Sequence, residues 1–484
     1  MSKEQSGREF DETMSLVSIN NLRYEAPESV CATASCNRQQ INFNPNAYSA
    51  AVAGDQPSLL FNVGSSYTDG QKSMIQFTMT LNVDPGQAGN AAFFAFGNNT
   101  ADGDGNTFYN SGGSVLNLIS EVNHQSKSGE LLYRELFKNQ TQTTSRLYKI
   151  DKARRNYMGV MGGAQPTNSA NDQDVKFPIF PINTAVTFQI PMCELSSFFN
   201  TSQLIPPMLL SGSLLRLTLA DPASAVILYQ NNGTTIATGS TVTSVSLKSM
   251  IAYLHQSELY DSVNSLLLSS ANSIETNGIQ YGYQTQFNTI FPPNSATFNF
   301  DIQLSAAKIS SLVLKFVPKG VKKDPVAAAS ILELSGPITD ANALGFSVQV
   351  RLGNLVLPLF PVSTACDMYQ QTCNALNPIS YSGCDDPDPL KTINKLQAGC
   401  VSYSEYSRVL ATGAKKGVGT GGTLFGFSFE RASAVNVSGL STNNARILSV
   451  EVQNMANAAQ YICYASVTYL QIANVSVDNV VINK

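Results

Sequence analysis

Charge is scarce in this chain. Lysine and arginine (30) with aspartate and glutamate (34) make up 13 % of 484 residues, about half the ~25 % usual in soluble proteins. A disordered chain or a coiled coil needs charge-rich stretches, so both are disfavoured. Tryptophan is absent and histidine occurs only twice. No apolar run approaches the roughly 18–20 residues of a helical membrane span. The N-terminal stretch MSKEQSGREFDETM is polar without an apolar h-region, so no secretory signal is expected. A net charge of −4 gives no electrostatic case for wrapping nucleic acid. The eight cysteines (31, 36, 193, 366, 373, 384, 400 and 463) are too sparse for a disulfide scaffold and are expected as free thiols. The four from Cys366 to Cys400 are separated by six, ten and fifteen residues, with no Cys-x-x-Cys knuckle to hold zinc.

Uncharged polar residues and glycine fill the gap, and period-two patterning runs through them. Ser73–Val83 alternates Met74, Gln76, Thr78 and Thr80 against Ile75, Phe77, Met79 and Leu81, and stops at Asp84-Pro85. Val115–Val122, Ala185–Ile190, Ser213–Leu219 and Ser244–Leu254 read the same way, separated by turns such as Asn98–Gly105 and Asn231–Gly233. A helix is expected over Cys193–Asn200, before Pro206-Pro207. Further strands are expected at Ala296–Leu304, Ile309–Val317, Phe346–Leu352, Leu424–Phe429, Ile447–Val452 and Cys463–Val475. Two helices belong in the long loops among them, the clearer with Asp388 as N-cap, Pro389 in its first turn and Gly399 as C-cap.

Two sets of strands of similar size predict an all-β protein of two tandem antiparallel β-sandwiches with short helices in the inter-strand loops. The expected divisions are an arm over 1–45, a first sandwich over 46–256, a linker over 257–270 and a second sandwich over 271–484. Phe180-Pro-Ile-Asn-Thr-Ala and Phe291-Pro-Pro-Asn-Ser-Ala look like a repeat. Their offset of 111 residues is half what a tandem duplication requires, so the match is taken as chance.

The residues for catalysis are thin. His124 and His255 lie beside predicted strands in polar sequence and read as solvated or structural. There is no nucleophile elbow, phosphate loop or His-Glu-x-x-His. Cys193 has no histidine at a recognisable spacing. Asp102, Asp104 and Asn106 alternate like a calcium loop, but Thr107 and Gly113 stand where an EF-hand needs Gly and Glu, so a plain turn is expected. Asp385, Asp386 and Asp388 form a second acidic group, of which helix capping already explains Asp388. No catalytic, cofactor or metal residue is therefore assigned. Lys149–Arg155 and Lys319–Lys323 read as solvated loops, with contact to a genome or an acidic neighbour as the alternative. Six Asn-x-Ser/Thr sequons, at Asn98, Asn139, Asn200, Asn232, Asn436 and Asn474, follow from composition and are expected to be unmodified.

One stretch carries a resemblance. Phe188–Leu219 contains Ile190-Pro191, the helical Leu195–Phe199, Leu204-Ile205-Pro206 and the strand Gly212–Leu219. In that order it resembles the first jelly roll of double jelly-roll major capsid proteins of icosahedral double-stranded DNA viruses, the polinton-like virus and virophage group in particular. Phe425–Glu451 and Tyr461–Lys484 resemble strands of the second jelly roll. The resemblance implies two eight-stranded jelly rolls and a structural rather than enzymatic role. It also implies self-association as trimeric, pseudo-hexameric capsomers in a virion shell built inside the host cell, with penton and minor capsid proteins as further partners. Sequence-specific nucleic-acid binding is not expected, and without a basic arm the genome would be screened by other proteins. The rivals are a single-jelly-roll capsid protein with a projection domain and a tandem-sandwich carbohydrate-binding adhesin. Against the adhesin stands the missing tryptophan.

Overall fold

The computed structural model describes residues 31–40, 45–84, 91–96, 98–101, 107–110, 114–141, 161–162, 165–166, 175–176, 179–201, 203–231, 237, 239–261, 264–265, 269, 279–318, 346–376, 397–398, 401–402, 424–429, 439–442, 447–455, 458–475 and 480–483. Sixteen principal strands form two sets of eight. The first set is β1 (Cys31–Gln40), β2 (Ser58–Leu60), β3 (Tyr67–Asp84), β4 (Ile119–Gln125), β5 (Leu131–Leu136), β6 (Ala185–Pro191), β7 (Leu214–Leu219) and β8 (Thr241–Leu259). The second is β9 (Ile279–Phe291), β10 (Phe298–Ile302), β11 (Ile309–Pro318), β12 (Ser347–Leu352), β13 (Leu355–Val362), β14 (Leu424–Ser428), β15 (Leu448–Gln453) and β16 (Tyr461–Val475).

The first set pairs as β1-β8-β3-β6 and β2-β7-β4-β5, and the second as β9-β16-β11-β14 and β10-β15-β12-β13. Adding eight to each label of the first set gives the second. Each half is thus a jelly roll of two facing sheets of four principal strands, with Val480–Asn483 added beside β16 as a short fifth strand, and every one of these strand pairings is antiparallel. The two Phe-Pro hexapeptides fall at non-equivalent places, before β6 and at the end of β9, so the structure gives them no common origin.

Patterning explains which faces turn inward. On β3 the alternation buries Ile75, Phe77, Met79 and Leu81, while Met74, Gln76 and Thr78 stay half-buried. They meet Leu215 and Leu217 of β7 across the first core. In the second core Phe298 and Phe300 face Leu312, Leu314 and Phe316, with Val450, Val452, Cys463 and Val467 filling between. Gly426 lets a helix lie directly on β14. A Cβ there would come within 2.7 Å of Ala375 Cβ and 2.9 Å of Thr372 Cα. That helix, α1 (Ala365–Leu376), starts at a Thr364–Asp367 cap in which Asp367 N–H donates to Thr364 Oγ1 at 3.1 Å.

Four expectations from the sequence are corrected. Val115–Val122 is not one strand. Ser114 Oγ accepts from Leu116 N–H, a 3-10 turn follows over Val115–Leu118, and β4 starts only at Ile119. All four residues of that turn are buried, so the apolar run carried no periodicity to separate strand from turn. The helix expected over Cys193–Asn200 breaks at Ser196, whose extended backbone (φ −143°) divides Met192–Leu195 from a 3-10 turn at Ser197–Phe199. Residues 31–40, placed in the arm, form the first strand of the first jelly roll, paired along β8 from Cys31↔Leu259 to Gln40↔Ile251. β8 itself runs on into the stretch read as linker, and β9 was not anticipated. The helix around Asp388 lies outside the described residues.

Candidate functional site

The two jelly rolls share a wall rather than a tether. β9 pairs with β16 along its whole length, from Ile279↔Val475 to Phe291↔Cys463. One end of this ribbon belongs to the second core. At the other end Ile279, Tyr281, Tyr283, Ala473 and Val475 are buried in the first core. Tyr283 Oη donates to Leu132 O at 2.6 Å and Tyr281 Oη to Phe198 O at 2.8 Å, while Ser197 Oγ donates to Gln284 O at 2.6 Å. The Phe198 ring lies 5.3 Å from that of Tyr281 and 5.0 Å from that of Tyr283. Both phenols are thereby enclosed, and burial holds them above the usual tyrosine range.

Charged groups also enter this wall. Lys315, on β11, is 1 % exposed, and its Nζ donates to Gln140 O of the first jelly roll at 2.7 Å. Burial lowers its pKa to about 7. Close by in sequence to Gln140, Glu135 Oε2 accepts from Lys138 Nζ at 2.7 Å and from Tyr133 Oη at 2.6 Å, all three residues being buried. Burial and the neighbouring Glu135 push the Tyr133 phenol well up. Removing one member of such a pair strands the other charge in a low dielectric and is strongly destabilising.

His124 is structural rather than solvated, one of the two readings its sequence left open. It is fully buried, 4.8 Å from the Phe198 ring and stacked on Phe199 at 5.5 Å. Its Nε2 is 3.0 Å from Ser213 Oγ, Nδ1 has no hydrogen-bond partner among the described residues, and burial lowers its pKa to about 3. A neutral imidazole sealed among phenylalanines is a core residue. His255 sits half-buried on β8, in the other sheet of the first jelly roll from His124. Cys193 is half-buried and Cys366 exposed. Cys373 and Cys463 are buried, and burial raises both thiols, that of Cys373 to about 11. Cys31 and Cys36 lie on β1.

Among the described residues no three His, Cys, Asp or Glu side chains come together to hold a metal ion. Asp102, Asp104, Asn106, Asp385, Asp386, Asp388, Cys384, Cys400, Lys149–Arg155 and Lys319–Lys323 lie outside them. No helix among them is long and apolar enough to cross a membrane.

Two apolar features stand out instead. Leu359 and Phe360, on edge strand β13, are 75 % and 77 % exposed. In the first jelly roll, a small cavity of about 30 Å³ between the sheets is lined only by buried apolar side chains, among them Pro57, Phe77, Leu118, Leu217, Val245 and Met250. Neither was legible as a site, because exposure and concavity are properties of packing.

No protein-family model and no curated protein matches the chain. Solved structures do. The Faustovirus major capsid protein is 9 % identical, with a TM-score of 0.53 over 92 % of this chain and 91 % of that one. A chain of the Sputnik virophage particle is 10 % identical, with a TM-score of 0.53 over 94 % and 89 %. VP54 of PBCV-1, fitted into a reconstruction of Sputnik, is 11 % identical, with a TM-score of 0.50 over 93 % and 97 %. The topology and these likenesses agree that the chain has the double jelly-roll fold found in viral major capsid proteins.

Proposed function

We propose that the chain is a major capsid protein that acts by self-assembly, not catalysis, in the shell of an icosahedral virion. The observation that carries this reading is the doubled topology: two jelly rolls of the same strand order, joined by a shared wall. A chain with two like blocks, associated as a trimer, presents six and so suits six-fold positions of a shell. Paired sheets with closed cores avoid uncontrolled edge pairing, and the low charge lets many copies lie side by side with little repulsion. Penton and minor capsid proteins are the further partners this role calls for, and any contact with a genome would be independent of sequence.

Light scattering and negative-stain microscopy of the purified protein test the reading. The expected species is a trimer, about three times 51.9 kDa, or particles tiled with trimers. A stable monomer at all concentrations and ionic strengths would sink it.

A further inference from the structure

The corresponding sheets β2-β7-β4-β5 and β10-β15-β12-β13 turn opposite excess charges outward. On β7, Leu215 and Leu217 point into the first core, so Arg216 between them stands exposed on the outer face. Register places Ser58 and Asn123 beside it, with Arg134 beyond Asn123. Arg134 Nε donates to Glu121 Oε1 at 2.9 Å, and Arg216 has no ion-pair partner among the described residues. In the second jelly roll Asp301 alternates with the buried Phe300 and Ile302 and is exposed on edge strand β10. It lies opposite Ser449, whose Oγ donates to Asp301 Oδ1, and Arg351 follows on the next strand. Arg351 Nη2 donates to Glu451 Oε2 at 2.8 Å, and Asp301 has no cationic partner among the described residues. One face is left with an unmatched guanidinium, the other with an unmatched carboxylate.

The faces also match row by row. Two residues from Arg216, towards the β4–β5 hairpin, comes Leu214, with Leu60 opposite it and 54 % exposed. Two residues from Ser449, towards the β12–β13 hairpin, comes Ile447, 52 % exposed, whose carbonyl accepts from Gly353 N–H. Each face thus has an apolar row at its hairpin end and a charged row next to it, and the sign of the excess charge differs. We propose that the outer face of β2-β7-β4-β5 in one copy stacks on that of β10-β15-β12-β13 in a second copy, hairpin end to hairpin end, with Arg216 meeting Asp301 and Leu60 meeting Ile447. This contact rests on the capsid reading and adds to it a residue-level joint. Two like faces would bring excess charge of one sign together, so the pattern selects head-to-tail contact over a symmetric pair. A face four strands wide and six residues long covers about 400 Å² at the usual strand spacing and rise. That is half the ~800 Å² per partner of a stable pairwise interface, so one joint alone would not hold a dimer. A ring closed head to tail gives each copy two joints, one through each jelly roll.

A charge exchange tests the contact. Arg216→Glu and Asp301→Arg each set like charges against one another across the joint, and both positions are exposed in the single chain. Each variant alone should keep the melting temperature within about two degrees of wild type and lower the yield of trimers or particles about tenfold or more. The two substitutions combined restore opposite signs, and the yield should return to within about threefold of wild type. Single variants that assemble like wild type, or a double variant as impaired as the singles, would overturn this contact while the capsid reading stands. If wild type itself never assembles, both fall. A photoreactive benzoylphenylalanine in place of Leu60 gives a second measurement in an otherwise native chain. With isotopically light and heavy copies mixed, cross-links between copies to peptides spanning 299–303 or 447–453 are expected. Cross-links only to other regions overturn the proposal.

Discussion

His124 shows how a titratable residue set in polar sequence becomes inert in the fold. Its neighbours Asn123 and Gln125 suggest a polar setting, yet on a strand they point to the opposite face, and His124 shares the inward face with Val122. The period-two rule applied to residues 119–125 would have found this, whereas the phenylalanines that enclose it, Phe61, Phe198 and Phe199, come from distant segments. Because burial depresses its pKa from 6.5 to about 3, the unfolded chain binds a proton there that the folded chain refuses. Its contribution to stability is complete above pH 6.5 and is lost as pH falls towards 3. At pH 4 that loss is about 3 kcal/mol. His124→Phe should therefore narrow the gap between urea midpoints at pH 4 and pH 7. Ser213 Oγ keeps its bond to Leu210 O, so the variant leaves no orphan hydroxyl there. An unchanged gap would mean that His124 is accessible to protons in the folded state.

Lys315 titrates in the opposite quarter of the scale. Around it stand its register partners Tyr464 and Leu424 and, beyond Gln140, the Lys138–Glu135 pair. With a folded pKa of about 7, it is charged in both states below pH 7, and the burial penalty is then at its largest. Above pH 7 the folded chain sheds the proton while the unfolded chain keeps it to about pH 10.4, so stability rises through that window. Lys315→Met should stabilise the protein by about 1–4 kcal/mol at pH 6–7. That advantage should shrink by about 3 kcal/mol at pH 9.5. Paired denaturation curves at the two pH values measure it, and a constant difference would refute it.

At the level of elements, alternation made β3, β6 and β7 readable because one face of each is buried and the other is wetter. β9 escaped notice because its inward residues are Tyr281, Tyr283 and Thr285 set between glutamines and a glycine, so hydropathy barely alternates. β1 escaped for a related reason: Cys31–Gln40 is a polar strand whose place is fixed by pairing with β8. This pairing turns a truncation series into a sharp test. Removing residues 1–24 leaves β1 whole, and the melting temperature should not move. Removing residues 1–40 strips one edge of β8 of its partner, and the product should aggregate or lose several degrees of stability. Equal behaviour of the two truncations would show that β1 adds nothing to the first jelly roll.

For the whole molecule, the doubled architecture was legible in the two runs of strands, but the wall between them was not. Which residues of β9 and β16 belong to which core depends on contacts between halves of the chain, such as Tyr283 with Leu132 and Lys315 with Gln140. Because one ribbon lines both cores, the two jelly rolls should unfold together. Calorimetry should give a single transition whose van't Hoff and calorimetric enthalpies agree. Tyr283→Ala, which empties the shared wall, should cost about 3–5 kcal/mol and split that transition in two. Two separate transitions in the wild-type protein would contradict a shared wall.

The same ribbon sets a clock on synthesis. A first domain that folds independently can finish while the ribosome is still reading the second. Here the first core stays open until Ala473 and Val475 arrive, nearly two hundred codons after Ile279. At roughly 5–20 residues per second, that is a delay of about ten to forty seconds. Throughout it the nascent first jelly roll lacks its last wall, so neighbouring chains on one messenger RNA would meet only incomplete surfaces. Finished molecules alone would then be competent to associate.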